Sequence, residues 1–148
     1  LFMSDLLKDP MILRSIIMDH YKYPHHHKLV EDEHYHRAHM ASESCIDDIT
    51  VMAQIEEGVI KDIVFDGVAC TISTASTSIM TDLLRNKTIE EAKQLIKEYY
   101  EMIDLKPFDI DHLQEAVAFS QVGKQANRIK CANIGFKAME QIFKEIEK

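Results

Sequence analysis

The stretch Lys61 to Met80, KDIVFDGVACTISTASTSIM, decides how this chain folds. Leading into it, Val59 to Phe65 is a run of β-branched and aromatic residues, which predicts a strand. Asp66-Gly67 predicts a tight turn, and beyond Cys70 the residues become small before an apolar helical face emerges at Ile79, Leu83 and Leu84. The reading is strand, turn, helix, with Cys70 at the handover. A cysteine at such a point lies among backbone N–H groups without intrahelical partners and near the positive end of the helix dipole. That setting suits an anionic sulfur, which can bind metal or attack another sulfur. A buried core cysteine is the plainer reading of one such residue taken alone. The other cysteines have to decide.

The length of 148 residues predicts a single domain, 1–148, with one sizeable core. Hydrophobic residues make up 46%, with only four Gly and three Pro, which excludes a disordered or low-complexity chain. A formal net charge of −8 argues against a general binder of nucleic acid or of anionic membranes, since both reward an excess of Lys and Arg. Proteins are the expected partners. The N-terminal LFMSDLLKDPMILRS carries Asp5 and Lys8 where a secretory signal would be continuously apolar. No stretch approaches the roughly eighteen apolar residues of a membrane span, so the expectation is a cytoplasmic protein. Three widely spaced cysteines in a reducing compartment favour a metal or a reactive thiol over a disulfide framework.

Working outward, Asp9-Pro10 before MILRSIIMDHYK predicts a helix with Asp9 as N-cap, Ile12, Ile16, Ile17 and His20 on one side, and an end near Tyr23-Pro24. The segment His25 to His39 is rich in histidine. His34, His36 and His39 have the spacing of a metal clamp, although a solvated connector and edge strand is the commoner meaning of such a segment. Ile49 to Glu56 and the run after Glu57-Gly58 predict an antiparallel hairpin, with a third strand at His34 to Met40. After Cys70 the chain reads as helical: Ile72 to Arg85, then IEEAKQLIKEYYEMI behind a Thr88/Glu91 capping box, a break at Lys106-Pro107, a short helix at Asp111 to Phe119, and a last helix from about Lys124. The fold class expected is α+β, a small antiparallel three-stranded sheet packed against helices. Met18, Met52, Met80, Met102 and Met139 read as core filler.

The three cysteines stand in distinctive surroundings: SES-Cys45-IDD ahead of the hairpin, GVA-Cys70-TIS at the handover, and RIK-Cys131-ANI in the last helix. Asp47 could add a carboxylate, giving three sulfurs and an oxygen, a set that tetrahedral Zn2+ accepts. Lys124, Arg128, Lys130 and Lys137 surround Cys131 in sequence, where they read either as a solvated helix face or as charge offsetting an anionic centre.

These motifs resemble the U-type iron–sulfur cluster assembly proteins, the IscU/SufU family with its NifU N-terminal-like relatives. MDHYKYP resembles that family's MDHY-x-x-P signature, FDGVACTISTASTSIM its F-x-G-x-G-C-x-I-S-x-A-S-x-S-x-M stretch, and RIKCA its third-cysteine motif. Lys130 stands where the cluster-scaffold branch has a histidine, the span from Cys70 to Cys131 is long, and no Leu-Pro-Pro-Val-Lys signal precedes it, so the chain is most similar to the zinc-containing SufU branch.

The resemblance implies a SufE/IscU-like fold and the metal ligands Cys45, Asp47, Cys70 and Cys131. It implies zinc as the metal, and Cys45 as the thiol that accepts persulfide sulfur from a SufS-like cysteine desulfurase for delivery to a downstream iron–sulfur scaffold complex. It implies that a histidine of the desulfurase frees Cys45 from the metal, and it makes Arg128 the best candidate for a supporting role. The alternatives are a scaffold for a [2Fe-2S] cluster and a structural zinc domain without sulfur chemistry. The chain departs from the family pattern at Ser42, Glu43, Ile46 and Ala69. Ile46, being β-branched, would strain any backbone position there that needed glycine, which would reshape the first ligand loop.

Overall fold

The computed structural model describes residues 3–41 and 46–148. A short helix α1 (Met3–Leu6), which the sequence reading did not anticipate, leads into α2 (Pro10–Lys22). Asp9 caps α2 by accepting the Met11 N–H at 2.9 Å, with Pro10 in the first turn where its missing N–H costs nothing. Three strands follow, β1 (Tyr35–Ala41), β2 (Asp48–Glu56) and β3 (Val59–Val68), an antiparallel meander in the order β1-β2-β3. The β2–β3 hairpin turns through Glu57 at φ 52° and Gly58 at φ 75°, the paired left-handed conformations that match the twist of the flanking strands.

Asp66-Gly67 is not a turn. Both residues continue β3, opposite Thr50 and Ile49 of β2. Gly67 has φ +140°, and a Cβ there would lie 2.0 Å from the Asp48 carbonyl oxygen, so glycine is required by a cross-strand approach that short-range turn statistics do not report. The chain reverses instead at Ala69-Cys70, and α3 (Thr71–Leu84) begins with Cys70 as its N-cap. The remaining helices are α4 (Ile89–Ile103), α5 (Ile110–Leu113) and α6 (Ala126–Ile146), with 3-10 turns at Gln114–Phe119 and Val122–Lys124 between the last two. The expected capping box is present, Thr88 Oγ1 accepting the Glu91 N–H at 3.1 Å while Glu91 accepts the Thr88 N–H at 3.0 Å.

Helix α3 is central, packed against α2, α6 and β3, while α6 also lies across β1 and β2. Being surrounded, α3 is buried on nearly every side, and its Ser73, Thr74, Ser76, Thr77, Ser78 and Thr81 are buried along with Ile79, Leu83 and Leu84. Small residues let the neighbouring helices approach: a Cβ on Gly135 of α6 would sit 2.7 Å from Thr77 Oγ1. Tyr99 of α4 is fully buried, stacks on Phe136 at 3.8 Å and donates to the Ala132 carbonyl at 2.7 Å, and burial pushes its phenol well above the ordinary range so that it stays a donor. Met52, Met80, Met102 and Met139 are core residues as expected. Met18 is not: it is 38% exposed, because the face of α2 turned inward carries Leu13, Ile16, Ile17 and His20.

Candidate metal centre

Among the described residues, the ligand atoms of Asp47, Cys70 and Cys131 lie within 4.8 Å of one another. Asp47 comes from the segment before β2, Cys70 from the start of α3, and Cys131 from the second turn of α6. Asp47 is only 2% exposed, whereas its neighbour Asp48 is exposed on the strand and pairs with His39 at 2.5 Å. A buried carboxylate needs partners, and α3 supplies them. Asp47 Oδ1 accepts the Cys70 N–H at 2.9 Å, and Oδ2 accepts the Ser73 hydroxyl. The same turn orients the sulfur: Cys70 Sγ accepts the Ser73 N–H at 3.4 Å and lies 3.2 Å from Ser73 Oγ. Cys70 therefore occupies the N-cap place usually held by Ser, Thr, Asp or Asn.

Cys131 is buried, and its carbonyl accepts the Ser76 hydroxyl at 3.3 Å, which fixes α6 to α3 next to the sulfur. The Tyr99 bond to Ala132 ties the adjacent carbonyl to α4. Three elements distant in sequence are thus pinned to one another at the point where two sulfurs and a carboxylate converge. Cys45, the first cysteine of the sequence motif, lies outside the described residues, as do Ser42 and Glu43. Of the other departures, Ala69 is not among the described residues with positive φ. Ile46 is 69% exposed.

Arg128 is exposed on α6, about one turn before Cys131. Lys124 and Lys130 are exposed as well, while the Lys137 ammonium lies 4.5 Å over the Tyr100 ring and 3.9 Å from Glu140. Sequence reasoning did not find Ser73, the residue that holds both the carboxylate and the sulfur. Its signal was the three-residue spacing from Cys70, which is the spacing of a helix cap and its N3 partner. The spacing-based clamp of His34, His36 and His39 does not form a metal group among the described residues: His34 pairs with Asp32 and His39 with Asp48.

A meander of three strands packed against helices thus sets a cysteine at a helix start and another on a second helix beside a buried aspartate. The NifU-like N terminal domain family matches residues 13–145, and the chain belongs to it. The chain is 35% identical over 132 residues to the zinc-dependent sulfurtransferase SufU of Bacillus subtilis, covering 88% of each chain. It is 34% identical over 131 residues to the iron–sulfur cluster assembly scaffold protein IscU of Streptococcus pyogenes, covering 88% of this chain and 81% of the relative. The crystal structure of FiSufU from Fervidobacterium islandicum AW-1 superimposes with a TM-score of 0.78 at 30% identity, covering 86% of this chain and 93% of that one. The fold expected from the sequence, α+β and IscU-like, is the fold observed. Among the described residues no helix is long and apolar enough to cross a membrane.

Proposed function

We propose that the chain is a zinc-dependent sulfur carrier of iron–sulfur cluster assembly. In this reading it works in the cytoplasm, takes persulfide sulfur from a SufS-like cysteine desulfurase and passes it to a downstream scaffold complex. The observation that carries this reading is the convergence of the Asp47 carboxylate with the Cys70 and Cys131 sulfurs. Two sulfurs and a carboxylate, with Asp47 and Cys131 buried, Cys70 half-buried, and Asp47 and Cys70 already held by Ser73, suit Zn2+, and Cys45 would complete a tetrahedral set. When bound, zinc supplies a positive charge that keeps coordinated thiols deprotonated.

The protein's own groups set the rest. The Cys70 amide and the Ser73 hydroxyl hold Asp47 in place, as outer partners of a ligand do. Cys70 starts α3 and Cys131 lies within α6, and Cys45, the member matching the family's first cysteine motif, is assigned as the acceptor. In the transfer step the Cys45 thiolate attacks the outer sulfur of the donor persulfide. A new S–S bond forms at Cys45, the donor's S–S bond breaks, and the donor cysteine leaves as a thiolate, with no net oxidation. Arg128, exposed near Cys131, is assigned a supporting role toward the incoming anionic persulfide.

The test is to incubate the purified chain with its cognate desulfurase and cysteine and to map added sulfur by mass spectrometry under non-reducing conditions. Sulfur on Cys45 is the expected result. Sulfur on Cys70 or Cys131 with Cys45 unmodified would reject the assignment, and none on any cysteine beside an active desulfurase would reject sulfur transfer. The scaffold reading has its own support in the IscU name of a 34% identical relative. Anaerobic purification separates the two, because a [2Fe-2S] cluster absorbs visible light and zinc does not.

A further inference from the structure

The second group with metal-site spacing is His20, His25 and Asp82, whose ligand atoms also lie within 4.8 Å of one another. It is built between the end of α2, the connector after it and the last turn of α3. Asp82 is twelve residues beyond Cys70, which places it about 18 Å further along the helix. It is therefore a separate place from the thiolate centre.

The cluster has one rigid wall and one open side. His20 is 4% exposed and is held at both ring nitrogens, Nδ1 lying 2.7 Å from Ser78 Oγ and Nε2 lying 3.2 Å from Glu115 Oε1. Ser78 Oγ also accepts the His25 backbone N–H at 2.7 Å, which fixes the connector against α3. The Glu115 carboxylate faces Nε2 as an acceptor. With the proton kept on Nε2, the lone pair stands on Nδ1. A carboxylate behind an imidazole in this way is the usual outer partner of a metal-bound histidine. His25 lies beside it with ring centroids 4.4 Å apart, and its Nδ1 is hydrogen-bonded to Asp82 Oδ2. Asp82 also has His26 Nδ1 at 3.6 Å from its other oxygen, but His26 is engaged with Thr81 Oγ1 at 2.9 Å.

We propose that His20, His25 and Asp82 form a second site for a first-row divalent cation, with Glu115 as the positioning residue behind His20. Two imidazoles and a carboxylate are a borderline donor set that suits zinc and its neighbours rather than Mg2+ or Ca2+. Ligand atoms around a tetrahedral ion stand about 3.4 Å apart, given bonds of about 2.1 Å. The present spacing needs only side-chain rotation by the half-exposed His25 and Asp82, and release of His20 Nδ1 from the Ser78 hydroxyl. The ion replaces the proton between His25 and Asp82 and offsets the paired negative charge of Asp82 and Glu115. Water completes the coordination on the open side.

The experiment is equilibrium dialysis of the full chain against Zn2+, read as zinc per chain at a series of free concentrations. The expected isotherm has a tighter and a weaker equivalent. His25→Ala and Asp82→Asn, both at half-exposed positions, should each remove the weaker equivalent and leave the tighter one. Cys131→Ala should do the reverse, so failure of one site is distinguishable from failure of the other. Glu115→Gln should weaken the second equivalent by about 10-fold or more without removing it. A second readout is the His20 and His25 ring proton resonances, which should shift as the weaker equivalent loads. No second equivalent in the unmodified chain would overturn the proposal. So would a second equivalent that survives His25→Ala and Asp82→Asn but disappears when His34, His36 and His39 are replaced.

Discussion

At its N-terminal end α3 meets two sulfurs and a buried carboxylate; about three turns further on, the same helix meets two imidazoles and a half-exposed carboxylate. Both clusters use a buried serine of α3 in the same way. Ser73 holds Asp47 and faces the Cys70 sulfur, and Ser78 holds the His25 amide and faces the His20 ring. They differ in ligand softness and in exposure. At the sulfur end Asp47 and Cys131 are each 2% exposed and Cys70 is half-buried, whereas at the histidine end only His20 is buried. A small buried hydroxyl therefore orients a sulfur at one end and an imidazole at the other, and donor softness and burial are what set the two ends apart.

The largest effect should come from changing the donor without changing the cap. Cys70→Ser keeps a good N-cap, so the metal-free protein should keep its stability to within about 0.5 kcal/mol. Replacing a thiolate by a hydroxyl should nevertheless abolish the tighter zinc equivalent, measured by metal analysis after purification. If Cys70→Ser retained full zinc, the softness contrast between the two ends would fail. Next in size is Gly135→Ala. Its Cβ would meet Thr77 Oγ1 at 2.7 Å, and relieving that contact moves α6 from α3, costing about 2 kcal/mol in urea unfolding. Because this shift separates Cys131 from Cys70, zinc affinity at the sulfur end should fall while His20, His25 and Asp82, set between α2 and α3, keep theirs.

Smaller effects separate the two serines. Ser78→Ala should cost about 1 kcal/mol, since the half-exposed His25 amide can turn to water, and should leave the sulfur end unchanged. Ser73→Ala leaves one oxygen of the buried Asp47 without its hydroxyl donor, so here stability and zinc retention should fall together. Equal loss of zinc in both variants would mean that the two ends are not independent. The smallest effect is a pH control outside both clusters. The hydrogen bond to Glu98 raises the His112 pKa above 6.5, so the unfolded state loses its proton first as pH rises. The pair's stabilisation is fully present below about 6.5 while Glu98 is ionised, and is lost as pH climbs through the raised folded value. The melting-temperature gap between the unmodified chain and Glu98→Gln should be widest in mildly acidic buffer and close toward alkaline pH, with zinc content at both ends unaffected.

Much of the architecture was legible because it rests on contacts between near neighbours in sequence. The Asp9-Pro10 start, the Glu57-Gly58 hairpin, the Thr88/Glu91 box and the helix after Cys70 are each set within a few residues. The misreadings share the opposite feature. Gly67 looked like turn chemistry but answers to the Asp48 carbonyl on the next strand, and Met18 looked like core but lies exposed on α2.

The sequence by itself determined the donor types, their order along the chain and the caps that start the helices carrying them. It placed Cys70 at the start of α3 because a strand-to-helix handover is written in local residue type. Only the tertiary structure decided which donors meet. Asp47 and Asp48 are indistinguishable by composition, yet one is buried against Cys70 and Ser73 and the other pairs with His39 at the sheet edge. Of the histidines spaced like a clamp, His34 and His39 go to separate carboxylates, while His20 and Asp82, 62 positions apart, come together through His25. The reason is that spacing fixes direction only within one strand or helix, whereas contact between elements follows from burying the apolar faces of α2, α3 and α6 together, which no local pattern encodes.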